Sequence, residues 1–209
     1  TKLKFLNNSI FILGTKNPQL GNSSNKTVFV MTLDKDGNET NSVQFTNQFG
    51  SFKLLYDIKN SAPNRYLFTG RAQNTNQSGA GNSILIETDY NFNKIRGKQL
   101  SSSQYSFAEY GFNRYHWFDS YSKYTLDDNF NVIAKDSLNF TRSSCLQVAK
   151  TDTGFNAIYS FRKPGESNDK TALVAFNQNF DNAINVYTDD SLNLISQSGE
   201  LIDSVLYAR

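Results

Sequence analysis

Apolar residues along this chain come in short runs of strand length separated by polar stretches, with no sustained helical spacing. Strands are predicted at 3–6, 9–15, 27–33 and 39–46, with a turn at Asn7-Asn8 and a polar loop over 16–26. The second of these is almost continuously apolar through Ile10-Phe11-Ile12-Leu13, which predicts cover on both of its faces. The same order returns over 52–100, with strands at 52–58, 65–71, 83–88 and 94–100, a turn at 60–64, and a solvated loop at 72–82. A compressed copy fills 105–140, where the loop after the second strand shrinks to Ser120-Tyr121-Ser122. A fourth copy spans 144–188 with its loop at 163–170, and 191–209 holds only two strands.

Between the third and fourth strands lies a turn that recurs. It reads Asp34-Lys35-Asp36-Gly37-Asn38, then Asp89-Tyr90-Asn91-Phe92-Asn93, Asp127-Asp128-Asn129-Phe130-Asn131 and Asn177-Gln178-Asn179-Phe180-Asp181. Ser196-Gln197-Ser198-Gly199-Glu200 is a weaker fifth version. Short polar side chains that bond their own backbone, and residues that tolerate a left-handed backbone, suit such a turn. The copies start about 55, 38, 50 and 19 residues apart. A recurring turn implies a recurring supersecondary unit.

Length and charge narrow the reading. The chain's 209 residues suit a single domain, 1–209, with a real core. Its net charge of +2, without a basic run, argues against nucleic acid or an anionic membrane as main partner. The apolar runs are too short to span a bilayer. The sequence starts without Met or a signal peptide, as expected of a processed protein or a fragment. Cys145 is alone, which excludes an internal disulfide, and its strand-like surroundings predict a buried structural thiol.

Four-stranded meanders at this period, with a small residue in the second strand (Gly14, Gly70), resemble β-propeller blades. The turns resemble the loosely defined repeats of bacterial secreted and envelope propellers. The WD, Kelch and YWTD signatures are not present. Residues 34–40 are similar to the Asp-box of sialidase-like propellers but lack its closing aromatic, so no catalytic residue carries over. The Asn- and Phe-rich composition resembles envelope proteins of Gram-negative bacteria that secrete and display large surface proteins. The resemblance implies an all-β, propeller-like array of about five blades, the last incomplete. It also implies an exported protein of the periplasm, outer membrane or cell surface.

Candidate chemistry is sparse. Asp34, Asp36 and Asn38 place oxygens at alternating positions, as a calcium loop does, but Phe45 stands where an EF-hand needs its Glu. A structural turn is therefore expected, with no metal or cofactor. His116, the single histidine, sits among Tyr115, Trp117 and Phe118 and is expected to pack between blades. Glu87, Glu109, Asp119 and Asp152 are the carboxylates considered, and no catalytic pair is readable from them. The aromatics between Tyr105 and Tyr124 are expected to be mainly core, with Tyr121 the best exposed candidate.

Loops joining the second and third strands of such units emerge on one face. Asn17, Leu20, Asn74, Asn76, Tyr121, Pro164 and Glu166 are therefore the expected partner-binding residues. The function expected is a non-enzymatic protein–protein interaction module of the bacterial envelope, an accessory subunit of a secretion or surface-display complex. The partner expected is another envelope or secretion protein. The alternatives are a carbohydrate-binding or glycoside-processing propeller, and a fragment of a larger surface protein.

Overall fold

A computed structural model describes residues 2–16, 27–45, 52–72, 82–100, 106–138, 141–162, 165–167, 169–177, 185–188, 199–202 and 205–208. Among them there is no helix. Sheet 1 comprises β1 (Lys2–Leu6), β2 (Ser9–Lys16), β3 (Thr27–Leu33) and β4 (Glu39–Phe45). Sheet 2 comprises β5 (Phe52–Ala62), β6 (Arg65–Ala72), β7 (Asn82–Asp89) and β8 (Lys94–Leu100). Sheet 3 holds β9 (Phe107–Gly111), β10 (Arg114–Phe118), β11 (Ser122–Leu126) and β12 (Val132–Ser137). Sheet 4 holds β13 (Thr141–Lys150), β14 (Gly154–Arg162), β15 (Lys170–Asn177) and β16 (Asn185–Thr188). A last, two-stranded sheet pairs β17 (Gly199–Ile202) with β18 (Val205–Ala208).

Each of the four larger sheets is an antiparallel meander in chain order. The fold class is all-β, a propeller-like array of meanders whose last copy shows two strands among the described residues. Boundaries differ from expectation in places. β5 runs on to Ala62 and leaves only Pro63-Asn64 as turn, because bulges at Leu55/Asp57 and Asn60/Ala62 keep the longer strand in register. Asn64 takes a φ of 61°, the left-handed second position that a turn led by proline needs. The tight turns Asn7-Asn8 and Phe112-Asn113 have both residues left-handed, which matches the twist of the strands they join.

The recurring Asp turn has one geometry at all three described Asp copies. The Asp34 carboxylate accepts the backbone N–H of Asp36 and of Asn38, both at 2.9 Å, and the Asn38 amide at 3.1 Å. Asp89 does the same for Asn91 and Asn93, and Asp127 for Asn129 and Asn131. The fourth residue is left-handed each time: Gly37 at 84°, Phe92 and Phe130 at 63°. A shift of register, as at a bulge, accompanies every copy opposite Thr32/Leu33, Glu87/Thr88 and Thr125/Leu126. A three-residue hairpin loop closed by a left-handed residue and a bulge accounts for all of these features.

The chain divides into two compact units, Thr1–Gln104 and Tyr105–Arg209. In the first, Phe11, Leu13, Val28, Val30 and Phe45 of sheet 1 form one core with Ile58, Tyr66, Phe68, Ile84, Ile86 and Phe92 of sheet 2. In the second, Phe107 and Phe118 of sheet 3 pack with Phe155, Ala157, Tyr159, Val174 and Phe176 of sheet 4. Cys145 lies in this second core, and burial pushes its thiol far above the usual range, as expected of an inert structural cysteine.

Candidate functional site

The residue just before the recurring turn pairs with Ile10 in sheet 1, Tyr66 in sheet 2, Tyr115 in sheet 3 and Phe155 in sheet 4. These positions are therefore equivalent, and side-chain alternation defines two faces on every sheet. The front face carries Ile10 and Ile12, Tyr66 and Phe68, Tyr115 and Trp117, or Phe155 and Ala157. The back face carries Phe11 and Leu13, Leu67 and Thr69, His116 and Phe118, or Asn156 and Ile158.

In both units a front face covers the preceding back face. Tyr66 meets Phe11 edge-on at 5.2 Å, and Phe68 meets Phe45 at 5.2 Å. Phe155 lies against His116 at 4.3 Å and Phe118 at 5.5 Å, with Phe176 also 5.5 Å from Phe118. In sheets 2 and 3 the left-handed Phe of the turn closes the front face. Phe92 packs on Tyr66 at 5.7 Å, and Phe130 on Tyr115 at 4.9 Å.

Sheet 1 breaks this pattern on its front face. Cross-strand register sets Leu3 beside Ile12 and Met31, Phe5 beside Ile10, and Gly14 beside Phe29. Phe5 is 70% exposed and Leu3 65%, and Ile10, Ile12, Phe29 and Met31 are only half-buried. The turn offers Gly37 where sheets 2 and 3 have Phe, so no ring folds back over the face. Gly14 provides a seat for Phe29, whose ring atoms lie 2.6 Å from where a Cβ would stand. The expectation that both faces of β2 are covered is thus met on the back face only. Continuous apolar character shows that both faces are apolar, not that both are occupied.

Sheet 1 is anchored on its other side by lysines. The Lys2 ammonium donates to the Tyr56 carbonyl at 2.7 Å, and Lys4 lies 3.0 Å from the Asp57 carboxylate. Burial raises the Asp57 pKa, but Lys4, Lys59 and Lys2 together outweigh it and the net displacement is downward. Charged lysines of β1 thus both neutralise a buried acid of the edge strand β5 and engage one of its backbone carbonyls.

Of the carboxylates considered from the sequence, Glu87 and Asp119 have described hydrogen-bond partners. Glu87 is fully buried and accepts from Ser61 at 2.7 Å, Arg96 at 2.7 Å and Arg65 at 3.4 Å. Asp119 caps the short β10–β11 turn, accepting the N–H of Tyr121 and of Ser122, both at 2.7 Å. Burial raises its pKa while those two bonds oppose the shift. Glu109 lies opposite His116 in the β9–β10 ladder, and both are buried. Asp152 is exposed in the β13–β14 turn. The His116 Nε2–H donates to the Gly111 carbonyl, 3.2 Å away, and burial, then the Lys123 charge, hold its pKa down to about 4. No group of three or more His, Cys, Asp or Glu side chains is placed to hold a metal among the described residues.

Of the expected partner-binding residues, Asn17, Leu20, Asn74, Asn76 and Pro164 lie outside the described residues. Tyr121 is 46% exposed at the tip of its turn. Glu166 is exposed and pairs with Lys170 at 3.2 Å. The aromatics of sheet 3 are chiefly core: Phe107, Tyr115, Trp117 and Phe118 are buried. Leu3 and Phe5 were legible only as the alternation Lys2-Leu3-Lys4-Phe5, which shows two unlike faces but not which one is free.

No family model and no curated protein matches this chain. Among solved structures it is similar to a protein of unknown function from Bacteroides caccae, with a TM-score of 0.50 and 10% identity. The match covers 78% of this chain and 56% of that one, so the chain spans about half the length of this neighbour. At that identity the likeness is one of fold.

Proposed function

We propose that this chain is a non-enzymatic protein-interaction module whose partner docks on the front face of sheet 1. The carrying observation is the apolar surface formed by Leu3, Phe5, Ile10, Ile12, Phe29 and Met31, with Phe5 70% exposed. Leaving a large apolar side chain in water forgoes roughly 1.5–3 kcal/mol of burial, and contiguous apolar surface of this kind marks interaction sites. The carboxylates with described hydrogen-bond partners are engaged in turns and ion pairs, which supports binding over catalysis. The composition supports an envelope setting, with a secretion or surface-display component as partner.

The test is capture from an envelope fraction with the wild-type chain and with Leu3→Glu/Phe5→Glu. A stoichiometric protein retained by the wild type and lost by an equally folded variant supports the proposal. Equal retention by both, or a clean monomer in both cases, contradicts it.

A further inference from the structure

At the end of the first unit where the Asp turns lie, one aromatic residue departs from the repeat. The second position of the turn is charged and exposed in sheets 1 and 3, as Lys35 and Asp128, whereas sheet 2 has Tyr90 there. The Tyr90 ring stacks on Tyr66, with centroids 4.6 Å apart and planes 20° apart, yet stays 38% exposed. Its hydroxyl accepts the Asn7 amide at 3.0 Å. Asn7 and Asn60 bond each other reciprocally, Asn7 donating at 3.0 Å and Asn60 at 2.8 Å. We infer that Tyr90, Asn7 and Asn60 form a binding site for a neutral pyranose sugar. The open side of the Tyr90 ring takes the C–H face of the sugar, and Asn60 and the Tyr90 hydroxyl bond its hydroxyl groups.

The second unit builds the equivalent corner without any of these groups. Lys150 pairs with Phe155 as Asn60 pairs with Tyr66, and Phe112 opens the β9–β10 turn as Asn7 opens the β1–β2 turn. Phe112 packs edge-on against Phe155 at 5.5 Å, and the Lys150 ammonium lies 5.2 Å from the centre of the Phe112 ring. An apolar ring and a cation thus close that corner. Phe112 and Asn7 share a left-handed backbone, at 53° and 51°, so the dihedral alone does not dictate the amide. Two amides and an exposed phenol in the first unit are a departure from the repeat of the kind found where a surface has a use of its own.

The bonding left over identifies the ligand class. A side-chain amide has two N–H donors and an oxygen with two lone pairs. Both Asn7 hydrogens are engaged, one on Asn60 and one on Tyr90. Asn60 uses one N–H and one lone pair on Asn7, which leaves one of each side by side. That pair matches two adjacent hydroxyl groups, one accepting and one donating. The Tyr90 hydroxyl, an acceptor towards Asn7, keeps its own O–H to donate. The faintly positive C–H bonds of a pyranose lie favourably against the negative face of an aromatic ring. Tyr66 fixes that ring, and Asn7 fixes both the phenol and Asn60, so little side-chain freedom is lost on binding. All three side chains are uncharged, which selects a neutral sugar over an acidic one.

This site is independent of the protein-docking face on sheet 1 and is tested separately. The isotope-labelled full chain is titrated with cellotriose, maltotriose and mannotriose, and with trigalacturonate as the acidic control, while the side-chain amide signals of Asn7 and Asn60 are followed by NMR. At least one neutral trisaccharide is expected to shift both signals together. Tyr90→Lys, which installs the residue that sheet 1 has at this place, should abolish the shifts, and Tyr90→Phe should weaken binding roughly fivefold through loss of one hydrogen bond. The inference is overturned if no neutral probe moves the two amides, if the shifts fall on other residues, or if Tyr90→Lys binds as the wild type does. A preference for trigalacturonate overturns it too. The wild-type shifts locate the site without any substitution, so the test holds even if a variant fails to fold.

Discussion

Phe92 and Phe130 hold left-handed backbone positions that bulky residues ordinarily leave to glycine, yet both rings are buried against the tyrosine that opens strand two. The two effects oppose each other. Glycine would relieve roughly 1–2 kcal/mol of left-handed strain, whereas deleting a buried phenyl ring costs about 3–5 kcal/mol. Phe92→Gly is therefore expected to destabilise by about 2 kcal/mol in urea titration, although it improves the turn; a stabilised variant would show that the ring is not what holds the front face. The Asp at the start of the same turn has a different signature. The Asn93 amide and backbone N–H groups hold the Asp89 carboxyl below its usual pKa of 3.8. The folded state then binds fewer protons than the unfolded state as the pH falls towards and below 3.8, so stability contributed by Asp89 is lost with acid. Asp89→Asn should flatten that part of the profile.

His116 titrates in the same sense for another reason. Its pKa is lowered from 6.5 to about 4 by burial and by Lys123, so the unfolded state takes up the proton first. Stability should fall by roughly 3 kcal/mol between pH 6.5 and pH 4 from this group and change no further below that. His116→Gln removes that slope if the imidazole is its source. Equal slopes in the two chains would contradict the assignment.

Elements are held by what joins their faces as much as by their ladders. In sheet 2, Glu87 is buried at the meeting point of Ser61, Arg65 and Arg96, which belong to β5, β6 and β8. Glu87→Ala removes the carboxylate shared by Ser61 and two partly exposed guanidinium groups, and a loss of about 1–3 kcal/mol is expected by denaturant unfolding. A loss under about 1 kcal/mol would show that water replaces the carboxylate. At this scale much was legible beforehand. The Asp turns and alternating runs locate the strands because hairpin chemistry is local. The site was not legible, because Ile10 and Phe11 look alike in sequence and differ only in which is covered. That distinction is made by Tyr66, some 55 residues away, and by the Phe missing at Gly37.

For the molecule, the repeat is a means of building one surface many times and leaving one instance open. Front faces in sheets 2, 3 and 4 have buried aromatics, and the front face of sheet 1 has aliphatic residues and Phe5 in water. Single-residue exposure is ordinary, but neighbours in register on three strands are not. Hydroxyl-radical footprinting of the 209-residue chain, alone and with a protein captured as the proposed partner, tests this most directly. Phe5 should be labelled far faster than Phe11 in the chain alone, and its labelling should fall to that of Phe11 on binding. If Phe5 is as slow as Phe11 in the isolated chain, the face is covered from within and the account fails.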